Sequence, residues 1–204
     1  MRGEYVGQSG GDILISAFER ESGRYYNSVY SLQARLRNPS TTVKDHLMPF
    51  EFIPLRSAFR LAHQRGCCLN ADGRPSSWRC ESAPLNVAGQ KVAVNICYED
   101  AWRRDHPCIA RSHITGECNQ RCVVRNSFAA EQHNQLSQMR ALETGRMMLR
   151  ATNTGVTSVI GVDGRVQAML PQHEEGVLTA QVQGYEGSTP YVRWGNGRCW
   201  CWQG

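Results

Sequence analysis

The stretch Lys91-Val-Ala-Val-Asn-Ile-Cys-Tyr-Glu-Asp100 is a short apolar run closed by a thiol and two carboxylates. Val92, Ala93, Val94 and Ile96 read as a buried strand. Cys97 ends it, and the carboxyl end of a strand is where α/β folds place their ligands. A thiol there, beside charged groups, is open to tuning as a nucleophile. Taken alone, the same residue reads more readily as an inert buried cysteine.

Outward from this strand the chain alternates between two element types. Asp12-Ile-Leu-Ile-Ser-Ala-Phe18 and Tyr25-Tyr-Asn-Ser-Val-Tyr30 read as consecutive strands on either side of Gly23. Phe128 to Arg150 reads as a helix capped by Ser127, with Leu136, Met139, Leu142 and Met147 at helical spacing. Thr157–Ile160 and Val166–Leu170 flank Asp163-Gly164, the signature of a β-hairpin. Gly176 to Val182 reads as one more strand. Strands mixed with a long helix define an α/β protein.

The 204 residues suffice for one domain. With 41% hydrophobic and 20% charged residues, wholesale disorder is excluded. No apolar run reaches the roughly 18 residues of a membrane helix, and Met1-Arg-Gly-Glu-Tyr5 lacks a signal peptide's apolar core. Three stretches break the pattern: Leu61 to Ala83, Trp102 to Arg125 and Gly197 to Gly204. They are rich in Arg, Cys, Trp and His and show neither a helical nor a strand period. Eight of the nine cysteines lie in them, Cys97 being the exception, so the cysteine count says little about the rest of the chain.

A second stretch, Lys44-Asp-His-Leu-Met-Pro-Phe-Glu-Phe-Ile-Pro54, puts a lysine at the head of a proline-stiffened apolar loop, with Glu51 seven residues on. In isolation both are surface charges. Taken with Asn95-Ile-Cys-Tyr-Glu99, Met139-Arg-Ala-Leu-Glu143 and Arg150-Ala-Thr-Asn-Thr-Gly155, they resemble the nitrilase superfamily. The similarity is greatest to the catalytic domain of bacterial apolipoprotein N-acyltransferases, whose end Tyr185-Glu-Gly-Ser-Thr-Pro-Tyr191 and Gly195-Asn196 also resemble. It covers roughly two thirds of the chain.

The resemblance implies a four-layer α-β-β-α sandwich, here incomplete, over residues 1–193, with 194–204 a remnant of the linker to a lost C-terminal membrane helix. It implies a Glu-Lys-Cys triad in which Cys97 is the nucleophile and Lys44 stabilises the oxyanion. Glu51 resembles a supporting glutamate, and Glu99 is the acidic residue following the nucleophile. The implied reaction moves an acyl chain from a phospholipid through a Cys97 thioester to the amine of a diacylglyceryl-cysteine on a lipoprotein. The implied setting is the bacterial inner membrane, with the catalytic domain facing the periplasm. No cofactor or metal is implied. A soluble nitrilase-type amidase acting on small carbon–nitrogen substrates would use the same Lys44 and Cys97.

Two departures bear on activity. The family's base glutamate sits in a Pro-Glu-Thr/Ser-Ala motif that is absent here, and Glu4 is not in that context. The chain is therefore expected to begin after the base and after the N-terminal membrane helices, and to be inactive or nearly so. The family also carries Gly between Phe and Glu, where this chain reads Phe50-Glu51, an expected one-residue displacement of Glu51.

The three irregular stretches are expected to be translated out of frame. Skipping one base in a back-translation of Thr115 to Arg125 permits Leu-Val-Asn-Val-Thr-Asn-Asp-Ala-Trp-Phe-Gly, which resembles the family's strand and loop after the nucleophile. Similar skips after Leu61, Asn70, Trp78 and Gly197 also give family-like text. Poor packing is expected of all three. The rival readings are weak. His113, Cys118 and Cys122 lack paired zinc knuckles, and nine cysteines do not make a disulfide framework in a chain of this size. A net charge of +5 built on scattered arginines, without an aromatic platform, does not point to nucleic acid. Gly10-Gly11 is not followed by the Gly-Lys-Ser/Thr of a phosphate loop.

Resequencing the coding DNA tests the frame reading. Bases restored near Arg60, Ala101, Arg125 and Asn196 would make the irregular stretches reading errors and remove the eight clustered cysteines. An unchanged sequence makes those cysteines genuine.

Overall fold

The computed structural model describes residues 11–21, 24–33, 40–43, 83–97, 99, 109–119, 128–153 and 155–194. Strands β1 (Ile13–Glu21), β2 (Arg24–Leu32) and β3 (Ser40–Val43) form an antiparallel sheet in that order. Ile13 pairs with Leu32 and Glu21 with Arg24, while Val43 pairs with Ser28. Both expected N-terminal strands are present, each extended beyond the apolar run that marked it.

The second sheet holds six strands in sequence order: β4 (Leu85–Val87), β5 (Gln90–Ile96), β6 (Ile114–Asn119), β7 (Met148–Thr152), β8 (Ser158–Ile160) and β9 (Val166–Met169). β5, β6 and β7 run parallel and the remaining pairs antiparallel. Parallel neighbours need a long crossover. Helix α1 (Ala129–Thr144) provides it between β6 and β7. The β8–β9 hairpin turns as its sequence demands, with Gly164 at φ +75° donating to the Gly161 carbonyl at 3.0 Å.

The two sheets face each other. Val29 of β2, Leu85, Ile96 and Cys97 form a buried cluster, with Leu14, Val87, Val94 and Cys118 packed against it. Each aliphatic fully buried there contributes about 1.5–3 kcal/mol. Ser31 Oγ and Gln33 Nε2 also donate to the Asn86 carbonyl, at 3.1 and 2.6 Å. On the outer face of the six-stranded sheet, Ala141 of α1 packs with Met148 and Ile160. Helix α2 (Pro190–Trp194) closes the description, with Val192 buried against Ala93 and Ile109. Thr189 holds it to the end of α1, its hydroxyl accepting from the Val192 N–H and donating to the Glu143 carbonyl. Helix, sheet and sheet make three of the four layers expected. Among the described residues no helix covers the outer face of the β1–β3 sheet.

Three expectations need correction. The helix ends at Thr144, not Arg150, because Gly145 takes φ +63° and its N–H bonds the Ala141 carbonyl at 2.9 Å. Met147 follows the helix and Arg150 lies in β7. Phe128 occupies the N-cap without a side-chain bond, and Ser127 lies outside the described residues. The apolar stripe was also the wrong face: Met139 and Leu142 are exposed, and the buried positions are Ala130, His133, Asn134, Ser137, Ala141 and Thr144.

Gly176 to Val182 is not a strand. Alternation alone is insufficient where backbone groups meet no ladder, and Val177 and Val182 are exposed. Within the irregular stretch 102–125, residues 114–119 are a central strand with Ile114, Thr115 and Glu117 buried, so poor packing does not hold there. Neighbours on both sides impose the extended backbone despite the mixed composition. Residues 61–82 and 197–204 lie outside the described residues.

The polar buried face of α1 has a cause. Glu117 on β6 and Arg150 on β7 pair beneath it, both with side chains almost wholly shielded from solvent. His133 Nε2 lies 3.2 Å from Glu117 Oε1, and Ser137 Oγ donates to Glu117 Oε2 at 3.2 Å. Arg150 Nη1 donates to the His133 carbonyl at 3.1 Å and to Ser137 Oγ. Ser158 Oγ donates to Asn134 Oδ1 at 2.8 Å. Arg150→Met alone strands the Glu117 charge and is expected to cost about 3–5 kcal/mol in urea unfolding. Glu117→Leu added to Arg150→Met is expected to recover most of that loss.

Candidate functional site

Cys97 is the first residue after β5, and its backbone adopts φ +61°. That region is uncommon for a side chain with a Cβ and costs about 1–3 kcal/mol, a strain that recurs at catalytic turns. The turn is held by Glu99, which is itself buried: its Oε2 accepts from the Ile96 N–H at 2.7 Å. A carboxylate committed to the backbone fixes the direction in which the strand ends. Glu99 thus holds the end of β5 through the backbone.

The thiol is buried in the cluster between the sheets, among Val29, Leu85 and Ile96. Lys44 and Glu51 lie outside the described residues. Val43, which directly precedes Lys44, ends β3 opposite Ser28, next to the Val29 that packs in the Cys97 cluster. The sheet thus brings the chain to the edge of the thiol's surroundings at the residue before Lys44. Of the four sequence candidates, the described residues bring together Cys97 and Glu99.

Two groups near this site were missed. Cys118 lies in β6 opposite Ile96, the residue before Cys97, and packs against the same cluster. Burial, and secondarily the charge of Glu117, push its thiol up to about 11. The alternation Ile114, Gly116, Cys118 was the available signal, hidden because the surrounding stretch read as irregular. The Glu117–Arg150 pair was missed for the same reason. Among the described residues no group of three His, Cys, Asp or Glu side chains could hold a metal ion.

The layered sheets and the thiol at a parallel strand's carboxyl end define a class, and the comparisons agree with it. The model for carbon–nitrogen hydrolases matches residues 11–191, and the chain belongs to that family. A carbon–nitrogen hydrolase from Helicobacter pylori superposes with a TM-score of 0.64 at 12% identity, covering 85% of this chain and 62% of that one. A CN-hydrolase superfamily protein from Xanthomonas campestris, with an arsenic adduct in its active site, gives 0.60 at 16% identity, covering 96% and 69%.

Sequence narrows the class. The chain is 40% identical over 202 residues to an apolipoprotein N-acyltransferase of Nitrosomonas europaea, covering 95% of this chain and 39% of that protein. It is 38% identical over 203 residues to one of Ralstonia nicotianae, covering 94% and 37%. The chain thus spans about two fifths of the length of these curated relatives.

The raised Cys118 thiol has a consequence at alkaline pH. Above about 9 the unfolded thiol loses its proton while the folded one keeps it until about 11. Folding stability is therefore expected to fall as pH rises through that window, because the folded state binds more protons there. Urea midpoints measured from pH 8 to 11 check this: Cys118→Ala should flatten the decline relative to the unsubstituted chain.

Proposed function

We propose that the chain carries the nucleophile and oxyanion part of the acyl-transfer centre of a phospholipid:apolipoprotein N-acyltransferase, with Cys97 as nucleophile and Lys44 as the oxyanion's cation, and that without the family's base glutamate these residues take up an activated acyl group but do not complete turnover. The observation that carries it is the strained, Glu99-held turn placing Cys97 at the carboxyl end of β5. The identity to apolipoprotein N-acyltransferases favours this reading over a soluble amidase.

In the first half-reaction Cys97 Sγ attacks an ester carbonyl of the phospholipid. Charge develops on the carbonyl oxygen, where Lys44 Nζ stabilises it; one such donor is worth about 3–4 kcal/mol. The tetrahedral adduct collapses, the carbon–oxygen ester bond breaks, and the thiol's proton goes to the departing lysophospholipid hydroxyl. In the second, the amine of a diacylglyceryl-cysteine attacks the thioester, the carbon–sulfur bond breaks, and Cys97 is released as thiol with an amide as product. Glu51 supports Lys44 in this scheme, and Glu99 keeps Cys97 aimed. The phospholipid donor and the lipoprotein acceptor both lie in a bilayer, so the centre works at the inner membrane's periplasmic face. Among the described residues no helix is long and apolar enough to cross a membrane.

A p-nitrophenyl ester of palmitate in detergent micelles tests the first step without the native donor. The palmitoyl group is expected on the tryptic peptide Val92–Arg103, whose single thiol is Cys97, in preference to the other eight cysteines. Lys44→Ala is expected to slow acylation by about 10²–10³-fold. Equal labelling of all thiols, or none at Cys97, overturns the assignment. Hydrolysis of small amides, with no transfer of palmitate to lipid-anchored peptide amines, points instead to the amidase.

A further inference from the structure

The parallel pairing of β5 and β6 sets Ile96 opposite Cys118, and Cys97 follows Ile96 directly. Paired strands lie about 4.8 Å apart and consecutive residues advance about 3.3 Å, which puts the Cys97 and Cys118 Cα atoms about 6 Å apart. Disulfides span Cα separations of about 4.4–6.8 Å. Partners in a ladder share a face, so Cys118 lies on the face of Ile96; Cys97, whose backbone leaves the strand at φ +61°, belongs to the cluster against which Cys118 packs. Neither cysteine is in a disulfide. We propose that Cys97 and Cys118 form a reversible oxidative couple, in which Cys118 is the resolving thiol for a Cys97 oxidised by a hydroperoxide.

The chemistry balances in two steps. The Cys97 thiol attacks the hydroperoxide, the O–O bond breaks, and an alcohol (water, from hydrogen peroxide) leaves with a sulfenic acid on Cys97. The Cys118 sulfur then attacks the Cys97 sulfur, the S–O bond breaks, and water departs as the S–S bond forms. The two thiols supply the two electrons that reduce the peroxide, and a dithiol reductant restores both. Without a resolving thiol the sulfenic acid is free to advance to sulfinic acid, which thiols do not reverse.

The protonated state of Cys118 at neutral pH divides the roles. A thiol that keeps its proton is a poor target for peroxide; Cys97, paired with Lys44 in the proposed centre, is the one oxidised first, and Cys118 then acts on the sulfenic acid beside it. Bridging quenches the nucleophile while protecting it. The inference rests on the proposed pairing of Cys97 with Lys44 for the order of oxidation; the spacing of the two Cα atoms comes from the sheet.

Trypsin makes the test unambiguous, because Val92–Arg103 contains Cys97 alone and Ser112–Arg121 contains Cys118 alone. The unsubstituted chain is treated with hydrogen peroxide, capped with an alkylating agent and digested without reductant. The expected product is the Val92–Arg103/Ser112–Arg121 pair joined by a disulfide and lost on reduction with dithiothreitol. In Cys118→Val, Cys97 sulfinic acid is expected to rise about tenfold over the unsubstituted chain at equal peroxide. Bridging of Cys97 to a different cysteine, or an unlinked Cys97 whose sulfinic acid forms at the same rate in both chains, overturns the proposal. A linked pair in a chain that takes no palmitate leaves the couple standing and removes the acyltransferase reading. Acylation without linkage does the reverse.

Discussion

The ion pair between Glu117 and Arg150 lies at the centre of everything else in the structure. It joins the two parallel strands on which α1 docks, and it explains why that helix buries histidine, asparagine and serine in place of leucine and methionine. Two charges removed from water carry a desolvation cost that only close pairing and added hydrogen bonds offset. Ser137 bonds the carboxylate, His133 approaches its other oxygen, and the His133 carbonyl accepts from the guanidinium. Helix docking here is a matter of satisfied polar groups, with Ala141, Met148 and Ile160 supplying a modest apolar anchor.

The opposite face of the same strands has the contrary character. Cys97 and Cys118 sit against an apolar seam, and burial there disfavours the charged form of the Cys118 thiol. A nucleophile there needs a cation brought to it, since Glu99 is engaged with the Ile96 N–H and adds negative charge. β3 ends at Val43, opposite Ser28, and Lys44, the proposed cation, is the next residue of the chain. Burial without that charge would leave Cys97 as inert as Cys118. The nucleophilic reading of Cys97 thus depends on Lys44 more than on any residue packed around the thiol.

Sequence patterns disclosed the parts of the fold that obey one period. β1, β2, β5 and the β8–β9 hairpin follow from apolar runs and a Asp163-Gly164 turn, and the Cys97 strand end follows from its position in one such run. β6 stayed hidden because its buried residues Thr115 and Glu117 are polar, and only their partners on β7 and α1 make burial tolerable. The helix was legible as a helix but not its orientation, since Met139 and Leu142 mark the face that does not meet the sheet. The Gly176–Val182 alternation shows the converse failure: a strand is a property of two segments, and one alternating segment does not make one. Lys44 and Glu51 were legible only through resemblance.

Register links the two faces. Side chains alternate along a strand, so a one-residue slip of β6 would carry Glu117 into the apolar seam and turn Cys118 toward the helix. The slipped arrangement would bury an unpaired carboxylate among Val94, Ile96 and Leu85 and leave Arg150 without its partner. The penalty for that is several kcal/mol, larger than any gain from repacking one cysteine. The ion pair beneath α1 therefore fixes which residue of β6 stands opposite Ile96 on the other side of the sheet. By fixing that register it also fixes the distance from Cys118 to the turn at Cys97. A polar pair on one face of the sheet thus sets which residues stand opposite one another on the other face.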